Sequence, residues 1–338
     1  MVVALAAAAA VNAAVMASET LPTPADPFKP AVSLVEPRVG PAIIQNVRTL
    51  ADDIKLHHSV FALPWAILAT VLAAHRTAGG LRLGQFLLIL ICMVTARTLA
   101  MAANRLLDAE VDAKNPRTAR RAVPSGRLSR GFMIATIAAC AVIFIAATAG
   151  FWFWYRNPWP LLLATPVLLF LSSYPYLKRF TRLCHYYLGA ALALAPICAW
   201  LAIKGTLNAP PLYMAGAVLL WTAGFDIIYA CQDYAFDVEH GLFSVPAKLG
   251  IARALWVARL THLACVAFLI TLGLRTPELS TLYWLGVTAA VTLLVIEHAL
   301  VKPNDLSKVG LAFFTVNGII SVLLGSLGVA DVLVHHVR

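Results

Sequence analysis

The sequence predicts an all-α membrane protein, nine transmembrane helices packed as a single bundle, and three observations carry that prediction. Of 338 residues, 61% are hydrophobic and only 12% charged, giving a mean hydropathy of +0.81. The apolar residues gather into nine runs close to the length of about 18 residues or more that crosses a bilayer. A backbone in lipid must also satisfy its hydrogen bonds within its own segment, which leaves the helix as the form for such spans. A soluble α-protein with buried helices would not repeat so long an apolar run so often.

The elements follow in order. Residues 1–44, opening MVVALAAAAAVNAAVMASETLPTPADPFKP, are apolar and then Pro-rich. They lack the basic n-region of a signal peptide and are expected to form a disordered tail. Residues 45–338 hold one transmembrane domain, with spans near 58–76, 83–106, 132–153, 159–176, 185–203, 211–231, 253–273, 280–301 and 309–333. All six cysteines sit in or beside these runs with no paired metal spacing, and they read as small apolar packers.

Charge sets the orientation. With nine spans the connections alternate between two sides. Of the 26 Lys and Arg, only Arg76, Arg82, Arg156, Lys204, Arg275 and Arg338 fall on the side opposite the N-terminus, and Arg97 falls within a span. The positive-inside rule then places the N-terminus in the cytoplasm and the C-terminus outside, in a membrane of the bacterial inner (plasma) type. The net charge of +10 is therefore topological, and nucleic acid is not expected as a partner.

Two acidic stripes interrupt this pattern, both at cytoplasmic helix ends. In NRLLDAEVD, Asn104, Asp108 and Asp112 recur at every fourth residue, which keeps them on one helical face over about 12 Å. Asn115-Pro116 then ends the helix. In FDIIYACQDYAFDVEHG, Asp226, Tyr229, Asp233 and Asp237 again share one face. An Asp at mid-bilayer costs roughly 2.5–3.5 kcal/mol, so four would cost on the order of 10–14 kcal/mol. Such residues must sit near the interface, in a wet cavity or against cations. Clustered carboxylates with an amide oxygen suit Mg2+, which is commonly shared between a few carboxylates and substrate phosphates. Facing stripes would thus clamp a diphosphate. Basic residues to complete the clamp follow in NPRTARRAVPSGRLS (Arg117, Arg120, Arg121, Arg127) and in SSYPYLKRFTR (Lys178, Arg179 and Arg182, with Tyr174 ahead of them). A weak internal repeat pairs the stripes: Asp108 to Asp233 and Asp112 to Asp237 are both 125 residues apart. Lys55-Leu-x-His58 likewise recurs as Arg182-Leu-x-His185.

These motifs carry a resemblance. NRLLDAEVD resembles the NxxxDxxxD motif of the UbiA superfamily of intramembrane prenyltransferases, and DYAFD its second motif, DxxxD. The likeness runs over about residues 45–335, and the order of the motifs, after the second and sixth spans, agrees. KLHHSVFALPWAILA, NPRTARRAVPSGRLS and AFFTVNGIISVLL resemble the 4-hydroxybenzoate polyprenyltransferase-like branch, which includes the futalosine-pathway menaquinone enzymes. The resemblance implies a UbiA-like bundle whose site faces the cytoplasm. It implies Mg2+ held by Asp108, Asp112, Asp233 and Asp237 with Asn104 assisting, all of them binding the diphosphate of a long polyprenyl donor. Ionisation would give an allylic cation attacked by an aromatic acid, with 4-hydroxybenzoate the leading acceptor and a dihydroxynaphthoate the alternative. Tyr174 and Lys178 would flank the donor, Arg117 and Lys178 would meet the diphosphate, and Lys55, His58 and Arg121 are candidates for the acceptor carboxylate. Asp226 and Tyr229 complete the expected substrate-binding set. Two other classes fit less well. CDP-alcohol phosphotransferases carry a DG and an ARxxG core that this chain lacks. A membrane transporter would place its carboxylates within spans rather than at their ends.

Overall fold

The computed structural model describes residues 42–54 and 61–336, and these are helical with no strand among them beyond one isolated bridge, Lys302 with Asp305. The membrane helices are α1 (Leu63–His75), α2 (Leu83–Leu107), α3 (Arg130–Tyr155), α4 (Trp159–Ser173), α5 (Cys184–Lys204), α6 (Ala209–Ala230), α7 (Ile251–Arg275), α8 (Thr281–Leu300) and α9 (Asn317–His336). Among the described residues, eight helical stretches are long and apolar enough to cross a membrane. The predicted first span is the exception. α1 has 13 residues, about 20 Å at 1.5 Å per residue, and starts at Leu63 with Pro64 in its first turn. The predicted start of this span at 58, with Lys55 and His58, lies outside the described residues. So does the expected tail as far as residue 41, whereas residues 42–44 already open an amphipathic helix, Ala42–Asp53.

α6 is the central helix. It packs against both α5 and α7, while α2 pairs with α3, α8 with α9, and α1 rests on α5 and α9. Close approach is built from small residues. A methyl at Gly189 on α5 would overlap the carbonyl of Leu219 on α6, the small-residue contact by which membrane helices gain dispersion energy. Trp65, Trp200 and Trp221 fill the interior and are at most 1% exposed. Large apolar side chains such as Trp154, Leu263 and Leu274 face outward, as a lipid-facing surface requires. The protein is an integral membrane protein.

Polar fastenings close both ends. On the side opposite the acidic stripes, Glu278 takes two bonds from Arg76, at 2.6 and 2.7 Å, and Lys204 donates to the Arg76 carbonyl. On the stripe side, Asp53 accepts from Arg105 at 2.8 Å and from the Ala122 amide at 2.7 Å, fixing the Ala42–Asp53 helix to the bundle. Ahead of α9, residues Ala312–Val316 form a π-helical turn. Asn317 holds it by donating to the Ala312 carbonyl and to Glu297, while accepting from Trp221. That turn sets Phe313 against Tyr229 with ring centres 4.1 Å apart. Such π turns are rare and concentrate near functional sites.

Candidate active site

The first stripe is not one unbroken helix. α2 stops at Leu107, Asp108 lies at φ −91°, ψ 0°, and a second short helix, Ala109–Lys114, follows. The ladder nonetheless carries across the joint: the Asp108 amide donates to the Asn104 carbonyl and the Asp112 amide to the Asp108 carbonyl. The three side chains therefore keep a common face, and the chain turns away at Asn115 as the Pro after it predicts. The second stripe is broken in the same place. α6 ends at Ala230, a 3-10 turn covers Cys231–Asp233, and Tyr234–Glu239 resumes the helix.

Both stripes line one polar cavity of about 870 Å³. Eleven of the thirteen residues expected at the site line it: Asn104, Asp108, Asp112, Arg117, Arg121, Tyr174, Lys178, Asp226, Tyr229, Asp233 and Asp237. The other two, Lys55 and His58, lie outside the described residues.

Each carboxylate has a polar partner. Asp108, 1% exposed, accepts from Lys178 at 2.6 Å and from the Asn104 amide at 3.1 Å. Its other oxygen has no hydrogen-bond partner; the nearest cation to it is Arg179 at 3.6 Å. Asp112 pairs with Arg121 at 2.7 Å. Asp233 takes a fork from Arg117, at 2.8 and 2.5 Å, and a bond from the Asn115 amide at 3.0 Å. Asp237 accepts from the Ser244 hydroxyl at 2.6 Å. Burial alone would lower the Arg117 guanidinium, but the bonds and charge of Asp233, with Tyr229 and Asp112 nearby, hold it above its ordinary value. Among the described residues, no group of three or more His, Cys, Asp or Glu closes into a ready-made metal cage.

The basic wall is assembled from loops. Tyr174–Arg179 forms a 3-10 turn at the end of α4. Arg179 ties it to the first stripe by donating to the Leu107 carbonyl, and the Phe243 amide ties it to the second by donating to the Lys178 carbonyl. Sequence reasoning missed Asn115, Ser244 and His185 as site residues, whereas Arg179 stands in the basic segment SSYPYLKRFTR that it set beside the stripes. Of the three missed, only His185 had a visible signal, as the repeat of the Lys55–His58 pattern; the others depend on tertiary placement.

A second cavity, of about 1320 Å³, lies between α2, α3, α4 and α5 and is lined almost entirely by apolar side chains, among them Ile89, Met93, Phe144, Leu163, Val167 and Leu192. Tyr174 and Leu188 line both cavities and mark their junction. The six cysteines are free, and Cys92 and Cys198 pack in the apolar cavity wall.

The chain is similar to known proteins in sequence and in fold. The chain is 27% identical over 253 residues to a 4-hydroxybenzoate octaprenyltransferase of Pseudoalteromonas translucida, covering 70% of this chain and 82% of that one. It is 31% identical over 191 residues to a mitochondrial 4-hydroxybenzoate polyprenyltransferase of Arabidopsis thaliana, covering 55% of this chain and 44% of that one. Among solved structures, an apo UbiA homolog from Aeropyrum pernix K1 superposes with a TM-score of 0.72 at 29% identity, over 83% of this chain and 98% of that one. A UbiA homolog from Archaeoglobus fulgidus bound to DMAPP and Mg2+ shares the fold, with a TM-score of 0.61 at 21% identity, over 86% of this chain and 99% of that one. The signature of the UbiA prenyltransferase family matches residues 62–319, which include both acidic stripes and the residues that line both cavities, and the chain belongs to that family.

Proposed function

We propose that the protein transfers a polyprenyl group from a polyprenyl diphosphate to 4-hydroxybenzoate, a step of ubiquinone synthesis. One observation carries the donor class: a polar cavity walled by carboxylates and cations meets a long apolar cavity at Tyr174 and Leu188. A molecule with a charged head and an isoprenoid tail matches both halves. The acceptor rests on the relatives, which are named for 4-hydroxybenzoate.

The residues present fit a Mg2+ ion. The donor set is hard oxygen, and one oxygen of buried Asp108 has no hydrogen-bond partner. A preformed cage is not needed, because Mg2+ takes one or two carboxylates together with phosphate oxygens and water. Held by Asp108, Asp112, Asp233 and Asp237 with Asn104, it would supply positive charge to the departing diphosphate. Arg117 and Lys178 release Asp233 and Asp108 and turn their donors to phosphate oxygens, Arg117 as a planar fork and Lys178 as a point charge. Tyr174, at the junction, presents its ring to the allylic carbon as charge develops there. The apolar walls keep water from that carbon, so an aromatic carbon reaches it first. Arg121 is the candidate partner for the acceptor carboxylate, with Lys55 and His58 beside it in the same role. The site faces the cytoplasm, with the N-terminus inside and the membrane that of a bacterial cell.

The test is turnover by purified protein in detergent with Mg2+, a long-chain prenyl diphosphate and either 4-hydroxybenzoate or a dihydroxynaphthoate. Prenylated 4-hydroxybenzoate, abolished by EDTA, is the expected result. Product from the dihydroxynaphthoate alone replaces the acceptor; no product from any acceptor with folded protein overturns the reading.

A further inference from the structure

The polar cavity holds one carboxylate that the diphosphate clamp leaves unused. Asp226 sits on α6 seven residues before Asp233, about 10 Å further toward the membrane interior at the helical rise. It lines the polar cavity, and the residue it bonds, His185, stands three positions before Leu188, which lines both cavities. Its partner is His185, the second residue of α5, which is buried with only 3% of its surface exposed. The imidazole Nδ1 lies 2.7 Å from Asp226 Oδ2, and Nε2 accepts the backbone N–H of Val245 at 3.1 Å.

That second bond fixes the chemistry of the first. A nitrogen that accepts an amide proton carries a lone pair, so the ring proton is on Nδ1 and is donated to Asp226. His185 is thus a neutral clamp. It is itself set by the loop that begins the Val245–Leu249 helix, where Ser244 both caps that helix and bonds Asp237. Asp226 keeps 23% of its side chain exposed, facing a cavity rather than bulk lipid. Among the described residues it makes no ion pair with Arg or Lys within bonding distance, unlike Asp108, Asp112 and Asp233.

We propose that Asp226, positioned by His185, is the base that takes the proton from the acceptor ring. This deepens the prenyl-transfer reading and rests on it. The donor's C1–O bond breaks with its electron pair leaving on the diphosphate, and a π pair of the ring forms the new bond to C1. The ring carbon then carries both the prenyl group and its hydrogen. Asp226 takes that hydrogen as a proton, and the C–H pair restores the aromatic ring. Asp226 is the catalytic residue and His185 a positioning residue.

The test compares wild-type protein with Asp226→Asn, His185→Leu and His185→Gln, using an aromatic acceptor carrying deuterium at the position that is prenylated. Folding of each variant is checked by thermal unfolding and by binding of the prenyl diphosphate with Mg2+. Asp226→Asn should lower kcat about 100-fold, the lower end of general-base contributions, with the KM for the prenyl donor little changed. Proton loss then limits the rate, so a primary isotope effect appears that the wild type lacks. His185→Leu should do the same. His185→Gln recovers most of the turnover, because an amide can accept from Val245 through its oxygen and donate to Asp226 through its nitrogen. Wild-type kcat in Asp226→Asn, or a fall in kcat with no isotope effect, overturns the inference while leaving prenyl transfer intact. Failure of His185→Gln to exceed His185→Leu removes His185 from its role. A wild type inactive with every acceptor overturns both readings.

Discussion

At the scale of single residues, the site is a set of charges that would each be costly alone. Asp108 is buried yet retains Lys178 at 2.6 Å and Asn104 at 3.1 Å. Lys178→Ala leaves the carboxylate with Arg179 at 3.6 Å as its nearest cation. Breaking one side of a buried pair costs about 3–5 kcal/mol, and Arg179 places this case near the lower figure. Thermal unfolding should register that loss, and the KM for the prenyl donor should rise because a phosphate cation is gone. Glu278, at the opposite end, gives a pH prediction. Burial raises its carboxyl, but the hydrogen bonds and charge of Arg76 outweigh that and hold it below the ordinary value. Its contribution is therefore present above the unfolded value, about pH 4.3, and is lost as pH falls through the lower folded value. The difference in unfolding temperature between wild type and Arg76→Met should be clear at pH 7 and shrink as the pH is lowered below about 4.

At the scale of helices, much was legible because the signals are local. Eight predicted spans begin and end within a few residues of the observed helical stretches, the last of them counted from Val309 through the π turn into α9, since long apolar runs and Pro-marked breaks leave little freedom. The stripe of Asn104, Asp108 and Asp112 was legible as a face, but the joint at Asp108 was not, because the chain's turn there is set by Lys178 and Arg179 from another helix. The π turn at Ala312–Val316 was likewise hidden: it depends on Asn317, Glu297 and Trp221 meeting across three helices. α1 falls short of its predicted length, with Pro64 marking its start. The α5–α6 contact makes a prediction at this scale. In Gly189→Ala the new methyl meets the Leu219 carbonyl, a backbone atom that cannot swing aside. The two helices must separate, at about 1–3 kcal/mol. Because this interface also carries the His185–Asp226 bond, turnover and unfolding temperature should fall together.

At the scale of the whole molecule, the sequence places the two acidic stripes 125 residues apart, and the fold brings them to one cavity at the same end of the bundle. A paired site has a kinetic signature that separate sites lack. Residues acting on one ligand as a unit give losses that do not multiply. The measurement that tests this most directly is turnover, with Mg2+ and a long-chain prenyl diphosphate, of Asp108→Ala, Asp233→Ala and the double variant, each shown to be folded. Each single substitution should cost about 1000-fold or more in kcat/KM, as loss of a charge-stabilising group at a departing anion does, and the double should be scarcely worse than either. Near-normal activity in a single variant, or a double loss equal to the product of the two, would contradict one shared diphosphate site.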